Sequence, residues 1–331
     1  MCPELLNLSG AMKKLLYLIS FIILLFTACG NSHSLSSKEI IIFHAGSLSG
    51  PFRQLKNEYE KKNPGVNILL EPSGSLVCAR KVTELKKECD IIASADYLVI
   101  DKLLIPDYAS WNIRFATNEI VIAYSDKSRY SSLINADNWM DILSKDDVVY
   151  ARSDPDSDPC GYRTVITFKL AEKYYNKPGL TERMLAKDID FIRPKEVDLI
   201  ALIESNSIDY MFQYKSVAIQ HGLKYIALPD DINLSDPAKE EIYNSVSMDV
   251  TGDKPGTKIK VNGDYINYSI TILNNAPHKD AAIDFLCFML SDEGMDIFRK
   301  NGQDPIIPPD IQPADMLPIR LSKCIGASNM N

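Results

Sequence analysis

Gly46-Ser47 and Gly74-Ser75 each stand where a run of strand-forming residues stops and a helical pattern begins. The first pair lies in IIIFHAGSLSGPF (Ile40–Phe52), the second in LLEPSGSLVCARKV (Leu69–Val82). At such a junction the first N–H groups of the helix lack partners, a serine hydroxyl stands beside them, and the helix dipole is positive. Donors of this kind can hold an oxyanion without any basic side chain. The plainer alternative for either serine is an N-cap, worth about 1 kcal/mol and binding nothing. A third junction, ARSDPDSDPCGYRTV (Ala151–Val165), has Pro159 to fix a turn and Cys160 and Gly161 to offer N–H groups as the next helix starts. Asp158 takes the cap position there, and Arg163 either neutralises an anion or pairs with an aspartate. Tyr214, closing a strand pattern in YMFQYKSVAIQHG (Tyr210–Gly222), either packs or donates its phenol hydrogen to a ligand oxygen. Glu196, just before a helical stretch, reads locally as an acid favoured by the helix dipole.

The elements that must position these residues alternate along the chain. Strands are expected at Glu39–Phe43, Val66–Leu70, Asp90–Ala93, Glu119–Tyr124, Val148–Ala151, Ile208–Gln213 and Tyr225–Leu228. Helices are expected at Phe52–Lys62, Leu76–Lys87, Tyr162–Tyr175, Val197–Ser205, Asp280–Leu290 and Glu293–Asn301. This alternation predicts an α/β architecture with two mixed or largely parallel sheets covered by helices on both faces. The proline-rich end (Pro305, Pro308, Pro309, Pro313, Pro318) reads as an extended surface strap. Two extended segments, Glu119–Tyr124 and Tyr265–Leu273, bracket the middle of the chain, so a discontinuous first lobe (39–122 and 268–331) and an inserted second lobe (123–267) are expected, joined by two crossover strands. Ligands in such folds sit where strand C-termini face each other.

Export is indicated by Met12-Lys13-Lys14, the apolar run Leu15–Phe26 and the small-residue site Thr27-Ala28-Cys29-Gly30. Residues 1–28 form a lipoprotein signal, Cys29 is the lipidated first residue, and 29–38 is a flexible, serine-rich tether. The translation start falls at Met1 or Met12. Net charge is −8, and loss of Lys13, Lys14 and Glu4 with the signal leaves −9. An acidic surface argues against nucleic acid. Seven cysteines without CxxC or metal-ligand spacing argue against a zinc site; Cys78 and Cys89 are either bonded to each other or buried thiols.

Taken together these positions resemble the tungstate- and molybdate-binding extracytoplasmic solute-binding proteins of ABC transporters. The resemblance runs from about Ile41 to about Pro309. It is carried in order by HAGSLS (His44–Ser49), VTELKK with DIIASADY (Val82–Tyr97), ATNEIVIAYS (Ala116–Ser125) and DNW (Asp137–Trp139), then by DPCGYR (Asp158–Arg163), EVDL (Glu196–Leu199), IDYMFQYKSVAIQHG (Ile208–Gly222) and NGQDPIIPP (Asn301–Pro309). It implies a two-lobed periplasmic-binding-protein fold of the type II kind, closing on its ligand. Carried over by motif, Ser47, Ser75, the Cys160 N–H and Tyr214 would hold the oxo groups, and Asp158 and Glu196 would ligate the metal centre itself. The spacing of DP-x-GYR favours Asp158 over Asp156 as the carboxylate. Cys160 replaces an expected alanine, which matters little where the donor is the backbone. The resemblance further implies no catalysis, no cofactor, tungstate or molybdate as ligand, an ABC permease as partner, a lipid anchor at Cys29 and a monomer.

Two rivals differ in chemistry. A sulfate or phosphate receptor would keep the serine turns and tolerate loss of Glu196. A hydrolase built on Ser47 and His44 is disfavoured, because G-x-S-x-G is absent and the two residues stand only three apart.

Overall fold

The computed structural model describes residues 38–187, 189–252 and 256–328, so the expected signal segment, the expected lipidation site Cys29 and the expected tether as far as residue 37 lie outside the described residues. In chain order the strands are β1 (Lys38–Ala45), β2 (Val66–Ser73), β3 (Ile91–Ser94), β4 (Asn112–Thr117), β5 (Ile120–Tyr124), β6 (Tyr150–Ser153), β7 (Ile192–Arg193), β8 (Tyr210–Tyr214), β9 (Lys224–Ala227), β10 (Ser247–Thr251), β11 (Lys258–Asn262), β12 (Asn267–Ile272) and β13 (Asp304–Gln312). Six of them form one sheet, ordered β13-β4-β12-β3-β1-β2, and five form a second, ordered β7-β6-β8-β5-β9. β10 and β11 pair only with each other.

Both sheets are mixed, one of the two arrangements, mixed or parallel, that the sequence left open. β1 runs parallel to β2 and β3, whereas β12, β4 and β13 join antiparallel. In the second sheet β6 is parallel to β7 and β8, but β5 is antiparallel to β8 and β9. The physical reason is that the chain leaves and re-enters the first sheet. Strands added on the return run against those laid down before, and no apolar pattern distinguishes the two directions.

Buried strands carry the β-branched runs. Ile40 and Ile42 in β1 and Ile120, Val121 and Ile122 in β5 are fully enclosed, as expected for strands covered on both faces. The helix Ser49–Lys62 buries Phe52, Leu55 and Tyr59 along one stripe against the first sheet and ends with Lys61 and Lys62 at its negative terminus. Phe52 meets Phe285 and Phe298 with ring centroids 6.4 and 6.2 Å away. In the other half Phe212 is the hub, with Phe168 at 4.8 Å, Trp139 at 5.8 Å and Tyr150 at 5.9 Å. Each fully buried ring or branched chain contributes about 1.5–3 kcal/mol.

The chain passes from β4 to β5 through Asn118-Glu119 alone and returns into β12 after β11. Asn118 is buried at the first passage and ties both together. Its amide donates to Ser216 Oγ at 2.7 Å and to the Tyr268 hydroxyl at 2.9 Å, and its carbonyl accepts from Glu119 N at 2.9 Å.

One further expectation changes, and one left open is decided. The proline-rich end is an edge strand, β13, laid against β4, with a register shift between Pro305 and Asp310. An edge tolerates prolines because one side of the strand needs no donors. It is followed by a helix, Ile319–Ser328. Cys78 and Cys89 are separate buried thiols, while Cys287 and Cys324 form a disulfide.

Candidate functional site

The register of the sheets brings the junction residues together. Ala45 pairs with Ser73 at the C-terminal ends of β1 and β2, so the turns at Gly46 and Gly74 lie side by side. In the second sheet β6, β7 and β8 run the same way, so the loops after Ser153, Arg193 and Tyr214 leave from one edge. Those two edges face each other closely. A Cβ at Gly74 would fall 2.1 Å from the Ser157 carbonyl oxygen and 3.2 Å from Asp158 Cβ. A Cβ at Gly46 would fall 3.0 Å from each carboxylate oxygen of Glu196. Glycine at both positions is the condition for this approach.

Neither serine caps a helix. Ser47 sits inside the short turn Gly46–Leu48, is buried, and its Oγ has no well-aligned hydrogen-bond partner. Its carbonyl accepts from Gln303 Nε2 at 3.1 Å, which pins the turn to the segment before β13. Ser75 is the first residue of the helix Ser75–Thr83, behind Gly74 as cap, and its Oγ accepts from Ala95 N at 3.0 Å. The capping alternative is thereby excluded for both hydroxyls.

Asp158 does act as a cap. Its Oδ1 accepts from Cys160 N at 3.4 Å at the start of the helix Pro159–Tyr174, and its Oδ2 accepts from Glu196 N at 3.0 Å. Cys160 is buried with its thiol turned toward the Phe212 carbonyl, leaving only its N–H on the site side. Glu196 opens the short turn Glu196–Asp198 and is fully enclosed beside Ser47 and Asp158, with no well-aligned donor to either carboxylate oxygen. Its own carbonyl is held by Gln213 Nε2 at 2.9 Å. Burial, with the neighbouring charge of Asp158, pushes the Glu196 carboxyl well above the usual range, and burial pushes Asp158 up as well.

Tyr214 ends β8 and is fully buried, its hydroxyl accepting from Arg163 Nη1 at 3.0 Å. Arg163 pairs with Asp96, at 3.2 Å, which resolves the choice left open by its sequence position. His44 is stacked on Phe52 at 5.3 Å, and its Nδ1 donates to the Ala45 carbonyl at 2.8 Å. Burial lowers its pKa to about 4, so the ring is neutral.

Ser47, Ser75, Asp158, Cys160, Glu196 and Tyr214 thus gather on the facing edges of the two sheets. Several residues around them carried no signal in the sequence. Gln213 and Gln303 hold backbone carbonyls of the site, Tyr268 places its ring 6.0 Å from that of Tyr214, and Asp96 neutralises Arg163. Asp96, Gln213 and Gln303 lie inside motifs that carry the resemblance (DIIASADY, IDYMFQYKSVAIQHG and NGQDPIIPP), but no role is read for them there, and Tyr268 lies in none of those motifs. Chemically, the arrangement encloses hydroxyl donors, a helix start and a carboxylate without a well-aligned donor. Among the described residues no cluster of three metal-ligating side chains occurs, and no helix is long and apolar enough to cross a membrane.

Residues 40–303 match the model of the bacterial extracellular solute-binding proteins. The chain belongs to that family. Proteins of this kind bind rather than catalyse, so this solute-binding protein is not an enzyme. It is 48% identical to an uncharacterised solute-binding protein of Petrotoga mobilis, over 82% of this chain and 85% of the relative. It is 46% identical to a Pyrococcus abyssi protein named molybdate/tungstate-binding protein WtpA, over 82% of this chain and 86% of that one. The fold is shared with the Azotobacter vinelandii periplasmic molybdate-binding protein (TM-score 0.59, 16% identity, 80% of this chain and 98% of the other). It is shared equally with the sulfate-binding protein SubI of Mycobacterium tuberculosis (TM-score 0.59, 12% identity, 88% and 97%). The two-lobed fold therefore holds, and it alone does not choose an anion.

Proposed function

We propose that this solute-binding protein closes over tungstate or molybdate between its lobes and delivers it to an ABC permease, while a lipid on Cys29 keeps it at the membrane. One observation carries the reading: the carboxyl groups of Glu196 and Asp158 are buried beside each other and beside Ser47 on the facing edges, with no well-aligned donor to either Glu196 oxygen. An unpaired buried carboxylate costs several kcal/mol unless something compensates it. Sulfate and phosphate would add repulsion there. A hexavalent tungsten or molybdenum centre is hard, able to raise its coordination number, and suited to carboxylate oxygens. Glu196 and Asp158 would bind the metal, with Asp158 giving up its hold on Cys160 N–H. Ser47, Ser75, Tyr214 and the freed N–H would take the oxo groups.

Kinship with a protein named molybdate/tungstate-binding supports the same choice. The test is calorimetric titration of the purified protein with tungstate, molybdate, sulfate and phosphate at constant ionic strength. Tungstate and molybdate should bind, and Glu196→Ala should weaken both by at least about thirtyfold, the effect of removing one partner of a buried charged contact. Equal binding of sulfate, or a Glu196→Ala variant indistinguishable from wild type, would overturn metal ligation and leave a general oxyanion receptor.

A further inference from the structure

Asp96 and Arg163 meet across the seam between the two sheets. Asp96 follows β3 in the six-stranded sheet and caps the helix Tyr97–Leu103 through Oδ1. Arg163 belongs to the helix Pro159–Tyr174, which packs on the five-stranded sheet. Arg163 Nη2 lies 3.2 Å from Asp96 Oδ2, with the side chains only 4% and 5% exposed. The Tyr162 hydroxyl donates to the same oxygen at 2.5 Å, and Arg163 Nη1 donates to the Ala95 carbonyl. All of these contacts but the helix cap join one lobe to the other.

The same few atoms govern two hydroxyls of the site. A guanidinium has no acceptor, so in its contact with Tyr214 the phenol oxygen must accept, and the phenol hydrogen is left to be given elsewhere. Likewise the Ala95 N–H can only donate, so Ser75 Oγ accepts from it and keeps its own hydrogen for another partner. Each hydroxyl has one acceptor place filled and its hydrogen still free to give. That is the polarity a fully deprotonated oxyanion requires.

We propose that the Asp96–Arg163 pair is a latch that forms as the lobes close and that it positions Tyr214 and Ser75 with their hydroxyl hydrogens free to donate toward the bound anion. The donor role rests on the function proposed above; the latch does not. In an open form both charges would be hydrated. In the closed form they are buried, and the pair is tolerable only because the fork, the Tyr162 hydroxyl and the Ala95 carbonyl satisfy one another. Removing one partner therefore penalises the closed form selectively and should appear in release rather than in capture.

Asp96→Asn keeps the helix cap and the shape while removing the charge. Spin labels on cysteines placed at Leu85 and Leu133, both exposed and on opposite lobes, report closure in the full-length protein with and without sodium tungstate. With tungstate the wild type should populate the short distance. Asp96→Asn should shift toward the long distance and release tungstate at least about thirtyfold faster, with association within about twofold of wild type. Tyr162→Phe, a milder change that guards against a misfolded Asn variant, should speed release severalfold. Variants that melt earlier yet close and release as wild type would reduce the pair to a structural contact and overturn the proposal. Should the wild type ignore tungstate altogether, the functional reading fails and the ligand-free distances decide the latch. A longer distance in Asp96→Asn supports it, and an unchanged one sinks it.

Discussion

Gly74 shows how much of the site depends on what a residue lacks. Its backbone is extended, so no strain demands glycine; the Ser157 carbonyl does, 2.1 Å from where a Cβ would stand. Gly74→Ala can be accommodated only by holding the two edges apart. The variant should fold with a native far-ultraviolet spectrum yet bind tungstate roughly tenfold or more weakly, the penalty expected of an overpacked contact. Wild-type affinity would mean that the bound form is less closed than the structure described here. Ser47 and Glu196 make the complementary case. Their buried atoms without well-aligned partners cost free energy in the closed molecule, and a ligand that satisfies them converts that cost into selectivity.

At the scale of elements, the C-terminal helix Ile319–Ser328 buries Leu321 and Ile325 in the core and carries further fastenings besides. It is fastened by the Cys287–Cys324 disulfide and by Arg320, which reaches Asp280 and Asp284 on the helix Lys279–Met289. The loop closed by the bond spans 37 residues. Chain-entropy arithmetic gives about 4 kcal/mol for such a loop. Replacing both cysteines by serine should lower the urea midpoint accordingly, and a reducing agent should do the same to the wild type but not to the variant. The exposed ion pairs of Arg320 would contribute no more than about 1 kcal/mol between them. A double-serine variant with an unchanged midpoint would show that packing alone holds the helix.

For the molecule as a whole, acid stability follows from burial of an imidazole in the first lobe. The His44 pKa is lowered from 6.5 to about 4, with burial as the leading cause. The unfolded chain therefore binds a proton there that the folded chain refuses between those values, and stability falls as pH drops through that window. The loss amounts to about 3 kcal/mol by pH 4. A proton resonance titration should place the His44 midpoint near 4, and His44→Phe should remove part of the decline in urea midpoint between pH 7 and pH 4.5. Asp158 and Glu196 act in the opposite sense, since their raised pKa values favour proton uptake by the folded, ligand-free protein. A His44 midpoint near 6.5 would contradict the burial.

Much of this was legible in the chain itself because it is local. Small-residue turns after apolar runs marked Ser47, Ser75 and Cys160, proline marked the start of the helix at 159, and β-branched runs marked β1 and β5. Boundaries moved by a few residues, and β4, the β10–β11 pair and the helix Tyr97–Leu103 gave no clear period to read. Strand direction was lost for a different reason. A parallel and an antiparallel buried strand present the same apolar residues, and only the path of the chain separates them. Pairings between distant residues were likewise out of reach. Gln303 with Ser47, Asn118 with Tyr268 and Asp96 with Arg163 are separated by hundreds or dozens of positions, and nothing in a polar residue's neighbourhood names its partner. The sequence determined by itself which turns offer hydroxyls and N–H groups beside a helix start, since that depends on adjacent groups. The tertiary structure alone decided that those turns face one another, which hydroxyls keep a hydrogen free to give, and which charges cancel, since those depend on distance through space.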